Sequence, residues 1–145
     1  MKCLIQRVNY VKLYIEDELY SQIGNGLLVF VCFLKDDTES NINLMVQKII
    51  NLRIFEDINK KFNLSLKDVK GEVMVVSQFT LAADTKKGNR PSFFNAMEPN
   101  QATNFYSKMI NQFKINGIET KNGIFGASMK IELLNNGPVT IMIEN

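Results

Sequence analysis

Four apolar residues in a row, Val73 to Val76, constrain this chain more than any other feature, because a run without polar alternation fits a strand buried on both faces. Leu27 to Leu34 is a longer run and reads as a second core strand. Its eight residues fall far short of the roughly 20 that a membrane-spanning helix needs. Directly after Val76 the chemistry changes. Ser77, Gln78 and Thr80 place two hydroxyls and a carboxamide where the strand leaves the core, with Phe79 between them. Small polar groups at the C-terminal end of a buried strand line binding crevices in open α/β sheets. They also serve simply to satisfy backbone groups as a strand ends.

A chain of 145 residues is long enough to bury a core without metal or disulfide staples, and residues 1–145 read as a single domain. Its 46% hydrophobic and 22% charged content is that of a soluble globular protein. No apolar segment followed by a small-residue cleavage site opens the sequence, so a cytoplasmic location is expected, with Cys3 and Cys32 reduced. Both cysteines sit in apolar, strand-like surroundings and read as buried small hydrophobes. The chain has no histidine. That removes the usual general base near neutral pH, the Ser-His and Cys-His dyads and the commonest metal ligand, so neither a metal site nor a cofactor is expected. A net charge of +2 is too small for a non-specific grip on nucleic acid and leaves room only for a local basic patch.

The order of elements reads as several strands, a helix, a strand, a helix and two strands. Lys2–Val8 and Tyr10–Ile15 are two strands, Leu19–Ile23 returns, and Gly24-Asn25-Gly26 supplies a turn able to take positive φ. Thr38 caps a helix that carries Ile42, Met45, Val46, Ile49 and Ile50 on one stripe and ends near Leu52. Residues 53–70 form a surface connection with short extended pieces. Glu98-Pro99-Asn100 starts the second helix, with Asn as a possible cap, and Ala102, Phe105, Tyr106, Met109, Ile110 and Phe113 make its apolar face. Met129–Leu134 and Val139–Ile143 are then strands joined through a turn at Asn135-Asn136-Gly137-Pro138.

Three further features invite a chemical reading. The loop from Asp84 to Arg90 sets Lys86, Lys87 and Arg90 against one carboxylate, which suits a phosphate backbone or plain solvation. Gly137-Pro138 brings no side chain that fills a pocket and can present bare carbonyls to a ligand, or serve as an ordinary hairpin turn. Phe125 and Met129 flank Gly126 and suit one wall of a flat apolar slot, or core packing.

Taken together, Ser77-Gln78-Phe79-Thr80-Leu81, Asn89-Arg90-Pro91-Ser92-Phe93 and Asn136-Gly137-Pro138-Val139-Thr140 closely resemble the D-aminoacyl-tRNA deacylase family. The likeness extends to Ile5-Gln6-Arg7-Val8 and to Asn51-Leu52-Arg53-Ile54-Phe55-Glu56-Asp57, so it covers essentially the whole chain. Departures are Ala82, where the family often has an aromatic, Ser128, where an acidic residue is usual, and Asn136 in place of a frequent Asp.

The resemblance implies a homodimeric hydrolase of the ester joining a D-amino acid or glycine to the terminal ribose of tRNA. It implies an α/β fold of three layers, two sheets and a helical layer. Backbone N–H groups of Phe79 and Thr80 would form the oxyanion hole, with Ser77, Gln78 and Thr80 fixing the substrate and Phe125 and Met129 beside it. Gly137-Pro138 would be cis and reach into the partner's pocket, rejecting L side chains. An ester is easier to hydrolyse than an amide, so oriented donors and a positioned nucleophile suffice without histidine or metal. The substrate's ribose 2′-hydroxyl is favoured over direct attack by Thr80, which has no neighbouring base in the sequence motif. Two rivals remain: a non-catalytic nucleic-acid-binding module using Lys86, Lys87 and Arg90, and a deacylase of mischarged L-alanyl-tRNA on the same scaffold.

Overall fold

Both apolar runs become parallel neighbours in the middle of one sheet in the computed structural model, which describes residues 1–145. The elements in chain order are β1 (Lys2–Ile15), β2 (Glu18–Ile23), β3 (Gly26–Cys32), α1 (Glu39–Asn51), β4 (Phe55–Glu56), β5 (Phe62–Leu64), β6 (Glu72–Ser77), a one-turn 3₁₀ helix (Phe79–Ala82), α2 (Pro99–Ile115), β7 (Thr120–Asn122) and β8 (Met129–Glu144). The main sheet runs β2-β1-β3-β6-β7, with β8 on β1, and β4 pairs with β5 in a small separate ribbon. β6 is parallel to both β3 and β7; the other pairings are antiparallel.

Alternation along β3 and β6 sorts their side chains onto two cores. Leu27, Val29 and Val31 of β3, with Val73 and Val75 of β6, pack against both helices. Leu28, Met74 and Val76 point the other way, into a smaller core shared with Val8, Val11, Leu13 and Ile23. That second core exists because β1 takes β3 along residues 2–8 and β2 along residues 11–15 of the same edge, so the sheet curls nearly closed. The helices follow their apolar stripes. Ile42, Met45, Val46, Ile49 and Ile50 are all buried on α1, and each fully buried Ile or Leu stabilises the fold by about 1.5–3 kcal/mol. Thr38 is the N-cap of α1, and its N–H donates to Asn41 Oδ1 at 2.7 Å.

Several local expectations are corrected. Residues 2–15 form one strand instead of two, because the break in alternation at Arg7 and Val8 is absorbed by register shifts opposite β8. Likewise Asn135 to Pro138 is no hairpin turn. β8 runs on through it, pairing Asn135 with Val8 and Thr140 with Gln6, and residues 136–139 make an excursion opposite Arg7 within a single strand. Its Gly137–Pro138 peptide bond is cis.

At the start of α2, Pro99 occupies the first turn and Glu98 the cap position, so Asn100 lies inside the helix. Gly26 owes its place to close approach and not to positive φ, since a Cβ there would sit 1.9 Å from the Glu72 carbonyl oxygen. Positive φ is found instead at Glu16 and Asp17, the two-residue turn joining β1 to β2. Finally, β7 is a strand that composition did not reveal.

Candidate active site

A pocket of about 670 Å³ opens where the C-terminal ends of β3 and β6 meet the start of α2 and the segment leading into β8. Parallel pairing sets Val31 opposite Ser77, and Gln78 extends the ladder by donating its N–H to the Val31 carbonyl at 2.7 Å. The chain then tightens into the 3₁₀ turn, which turns Phe79 and Thr80 out to the surface. The Gln78 side-chain amide donates to Thr80 Oγ1, tying the two polar side chains together above the strand end.

Phe79 meets Phe93 edge-on at the rim, with centroids 5.0 Å apart. Across the opening, Phe125 and Met129 make the facing wall. Buried Tyr106 fixes that wall from behind: its hydroxyl donates to the carbonyls of Val75 at 2.8 Å and Gly123 at 3.2 Å, and its ring lies against Phe125. Burial holds the Tyr106 phenol well above its usual range, so it stays a neutral donor.

Five expected site residues thus share the pocket: Ser77, Gln78, Phe79, Phe125 and Met129. Thr80 stands beside it on the 3₁₀ turn. Lys86, Lys87 and Arg90 are exposed on a loop pinched at its neck, where Asp84 and Ser92 exchange backbone hydrogen bonds of 2.8 and 3.0 Å. Gly137 and Pro138 are not brought to the pocket of their own chain. Ile131 is the last β8 residue in the lining, and Gly137 lies six residues farther along, about 20 Å of strand.

What holds the excursion is Arg7, only 3% exposed. Its guanidinium donates to the carbonyls of Asn136 at 3.1 Å, Gly137 at 3.1 Å and Ile54 at 2.6 Å, and to Asn136 Oδ1 at 3.2 Å. Glu56 lies 3.6 Å from the same group and the Phe62 ring 5.2 Å from it, so the β4–β5 ribbon closes over the arginine.

Sequence reasoning did not assign Arg7 a role; a cation at a strand position where neighbours are buried was the available signal. It also missed Glu98, the one charged residue in the pocket lining, and Cys32. Cys32 Sγ donates to the Phe79 carbonyl at 3.5 Å, and burial raises its thiol above the ordinary range, which keeps it a neutral packing group. No three His, Cys, Asp or Glu side chains converge anywhere in the chain to hold a metal ion.

A mostly apolar cleft at the carboxyl ends of parallel strands, rimmed by a backbone turn and short polar side chains, is the place where α/β proteins bind and transform small groups. The family described as D-Tyr-tRNA(Tyr) deacylase matches residues 4–144, and the chain belongs to it. Proteins called D-aminoacyl-tRNA deacylase from Thermodesulfovibrio yellowstonii and Fusobacterium nucleatum are each 48% identical to it. The first aligns over 99% of this chain and 98% of its own length, the second over 99% and 95%. Among solved structures, one titled c-Myc DNA Unwinding Element Binding Protein superposes with a TM-score of 0.94 at 39% identity, covering 100% of this chain and 99% of its own. A probable eukaryotic D-amino acid tRNA deacylase shares the fold with a TM-score of 0.85 at 17% identity, over 98% and 97% of the two chains.

Proposed function

We propose that the pocket is the hydrolytic centre of a homodimer in which each chain lends its Gly137-Pro138 excursion to the other. The chain is a D-aminoacyl-tRNA deacylase, an enzyme that hydrolyses the ester between a D-amino acid and tRNA and so proofreads chirality. Glycyl esters, which carry no side chain to reject, are substrates as well. The observation that carries the reading is that Ser77, Gln78 and Phe79 enter the wall of a 670 Å³ pocket in a chain matched to the family from residue 4 to residue 144.

Catalysis is by oriented donors. The first N–H groups of a helical turn have no acceptor inside it, so those of Phe79 and Thr80 suit the oxyanion that forms when the ester carbonyl is attacked. Ser77, Gln78 and Thr80 position the substrate, and its ribose 2′-hydroxyl assists the attacking water. No cofactor takes part. Selection of hand is by exclusion: carbonyls of Gly137 and Pro138 from the partner hold the substrate amino group and leave no space for an L side chain.

The dimer has support in the geometry. Gly137 and Pro138 are exposed, lie far along β8 from their own pocket, and β8 keeps one edge without a strand partner. The two faces of β3 and β6, one under helices and one under the curled sheet, suit the three-layer arrangement of two sheets and a helical layer. Lys86, Lys87 and Arg90 neutralise the tRNA backbone, and a reaction on tRNA fits a cytoplasmic location.

The test is hydrolysis of D-aminoacyl-tRNA beside its L counterpart, in excess chelator. D-ester turnover with the L-ester spared is the expected result. Binding of tRNA without turnover of either ester would leave a nucleic-acid-binding module.

A further inference from the structure

Two consecutive aromatic residues diverge at the mouth of the pocket. Phe93 turns inward onto Phe79, whereas Phe94 is 76% exposed. Exposing a phenyl ring to that extent has no packing benefit, yet this ring is not idle: the Lys35 ammonium sits 3.3 Å from its centroid. Lys35 forms no ion pair with any carboxylate, so the ring face is its one close partner.

Backbone contacts make the pair a fixed fitting. The Lys35 N–H donates to the Asn95 carbonyl at 3.1 Å, and Leu34 bridges Ala96. Ala96 and Phe33 line the pocket, so the ring and the ammonium are anchored within two residues of its wall. On the N-terminal side, Ser92 closes the neck of the loop that carries Lys86, Lys87 and Arg90. Asp84 in that neck accepts the Lys86 N–H, and the other acidic side chains close by in sequence are Asp36, Asp37, which pairs with the N-terminal amine, and Glu98 of the pocket lining.

We propose that Phe94 and Lys35 form a stacking platform for the unpaired bases of the tRNA 3′ end, immediately outside the pocket. The proposal rests on the deacylase reading and extends it from the ester to the strand that carries it. An aminoacyl group inside the pocket requires the single-stranded nucleotides behind it to cross the rim. An exposed aromatic face beside cations is how proteins hold such strands without reading sequence. Continuity with the pocket and the excess of cations favour nucleic acid over an apolar protein partner.

The experiment compares two D-esters, full-length aminoacyl-tRNA and 3′-aminoacyl-adenosine, which lacks the upstream bases. Phe94→Ala should raise KM for the tRNA roughly tenfold with kcat preserved, and leave kcat/KM for aminoacyl-adenosine unchanged. Phe94→Tyr should restore the tRNA KM, and Lys35→Gln should raise it less and flatten its salt dependence. Equal losses on both substrates would make Phe94 part of the pocket, and no change on either would overturn the platform. Binding of uncharged tRNA, with and without its last three nucleotides, decides the same question without turnover: Phe94→Ala should weaken only the intact form. A wild-type chain that hydrolyses neither ester would sink the deacylase reading, while this binding arm still judges the platform.

Discussion

The pocket and the Gly137-Pro138 excursion are organised by opposite means. Around the pocket, position comes from packing: Val31, Phe33, Val76 and Met97 are buried residues of its lining, and Tyr106 bolts the far wall to β6. The excursion is exposed from Asn136 to Pro138, with only Val139 at its end buried in the main core, and its position comes chiefly from the three hydrogen bonds that one buried arginine sends to it, a fourth tying that arginine to Ile54. A packed wall tolerates modest substitution because many contacts share the load. A segment hung from one guanidinium does not.

The largest effect should therefore follow loss of Arg7. Arg7→Ala removes the donors to Asn136, Gly137 and Ile54 and strands Glu56 beside an empty site. Leaving the buried Ile54 carbonyl without its donor costs about 1–3 kcal/mol, and misplacing the excursion should lower turnover on the order of a hundredfold. Arg7→Lys should recover part of the stability and little of the activity, since an ammonium cannot reproduce the planar fork. Denaturant melts beside D-ester kinetics check both halves; full turnover in Arg7→Ala would erase the contrast between the regions.

Gly137→Ala sharpens it. A Cβ at Gly137 meets nothing nearer than Asn135 Nδ2 at 3.9 Å, so the isolated chain has room for the methyl group. Stability should stay within about 0.5 kcal/mol of the parent, whereas, if the excursion enters the partner's pocket as proposed, D-ester turnover should fall steeply because the methyl group would intrude there. Unchanged turnover would assign the excursion no part in the site.

The smallest effect belongs to the basic loop. Replacing Lys86, Lys87 and Arg90 with neutral residues should raise KM for tRNA more than it lowers kcat and reduce the slope of log KM against log salt concentration. An unchanged slope would leave the loop merely solvated.

How much of this was legible in the sequence follows the same division. Packed parts announce themselves: the apolar runs and both helical stripes could be read because burial imposes a period on residue type. The polar end of β6 and the pair Phe125 and Met129, half-exposed in the pocket lining, stand out by residue type alone, which fits a site as well as ordinary packing or strand ending. Parts set by hydrogen bonding across the chain could not. Asn136-Gly137-Pro138 has the composition of a turn, and only Arg7 and the flanking pairs with β1 make it an excursion within a strand. β7, spelled Thr-Lys-Asn, carries no apolar signal and is a strand because β6 offers it a parallel edge. Gly26 looked like a turn glycine, while its true constraint is the Glu72 backbone, distant in sequence and adjacent in space.

The pairing of β1 with β8 also sets a timetable. Lys2 lies opposite Glu144 and Ile15 opposite Met129, so one edge of the chain's opening strand is completed by the segment made more than a hundred residues later. At cellular elongation rates that gap is on the order of ten seconds, during which a fourteen-residue edge stands open as a template for foreign strands. Closing so long a loop is entropically costly before any contact rewards it, so pairing this distant in sequence predicts slow folding, which stopped-flow refolding would check. On the proposed reading, the excursion is seated only after Met129 has been made, so a chain stalled before that point would hold both helices without the segment that judges the hand of a substrate.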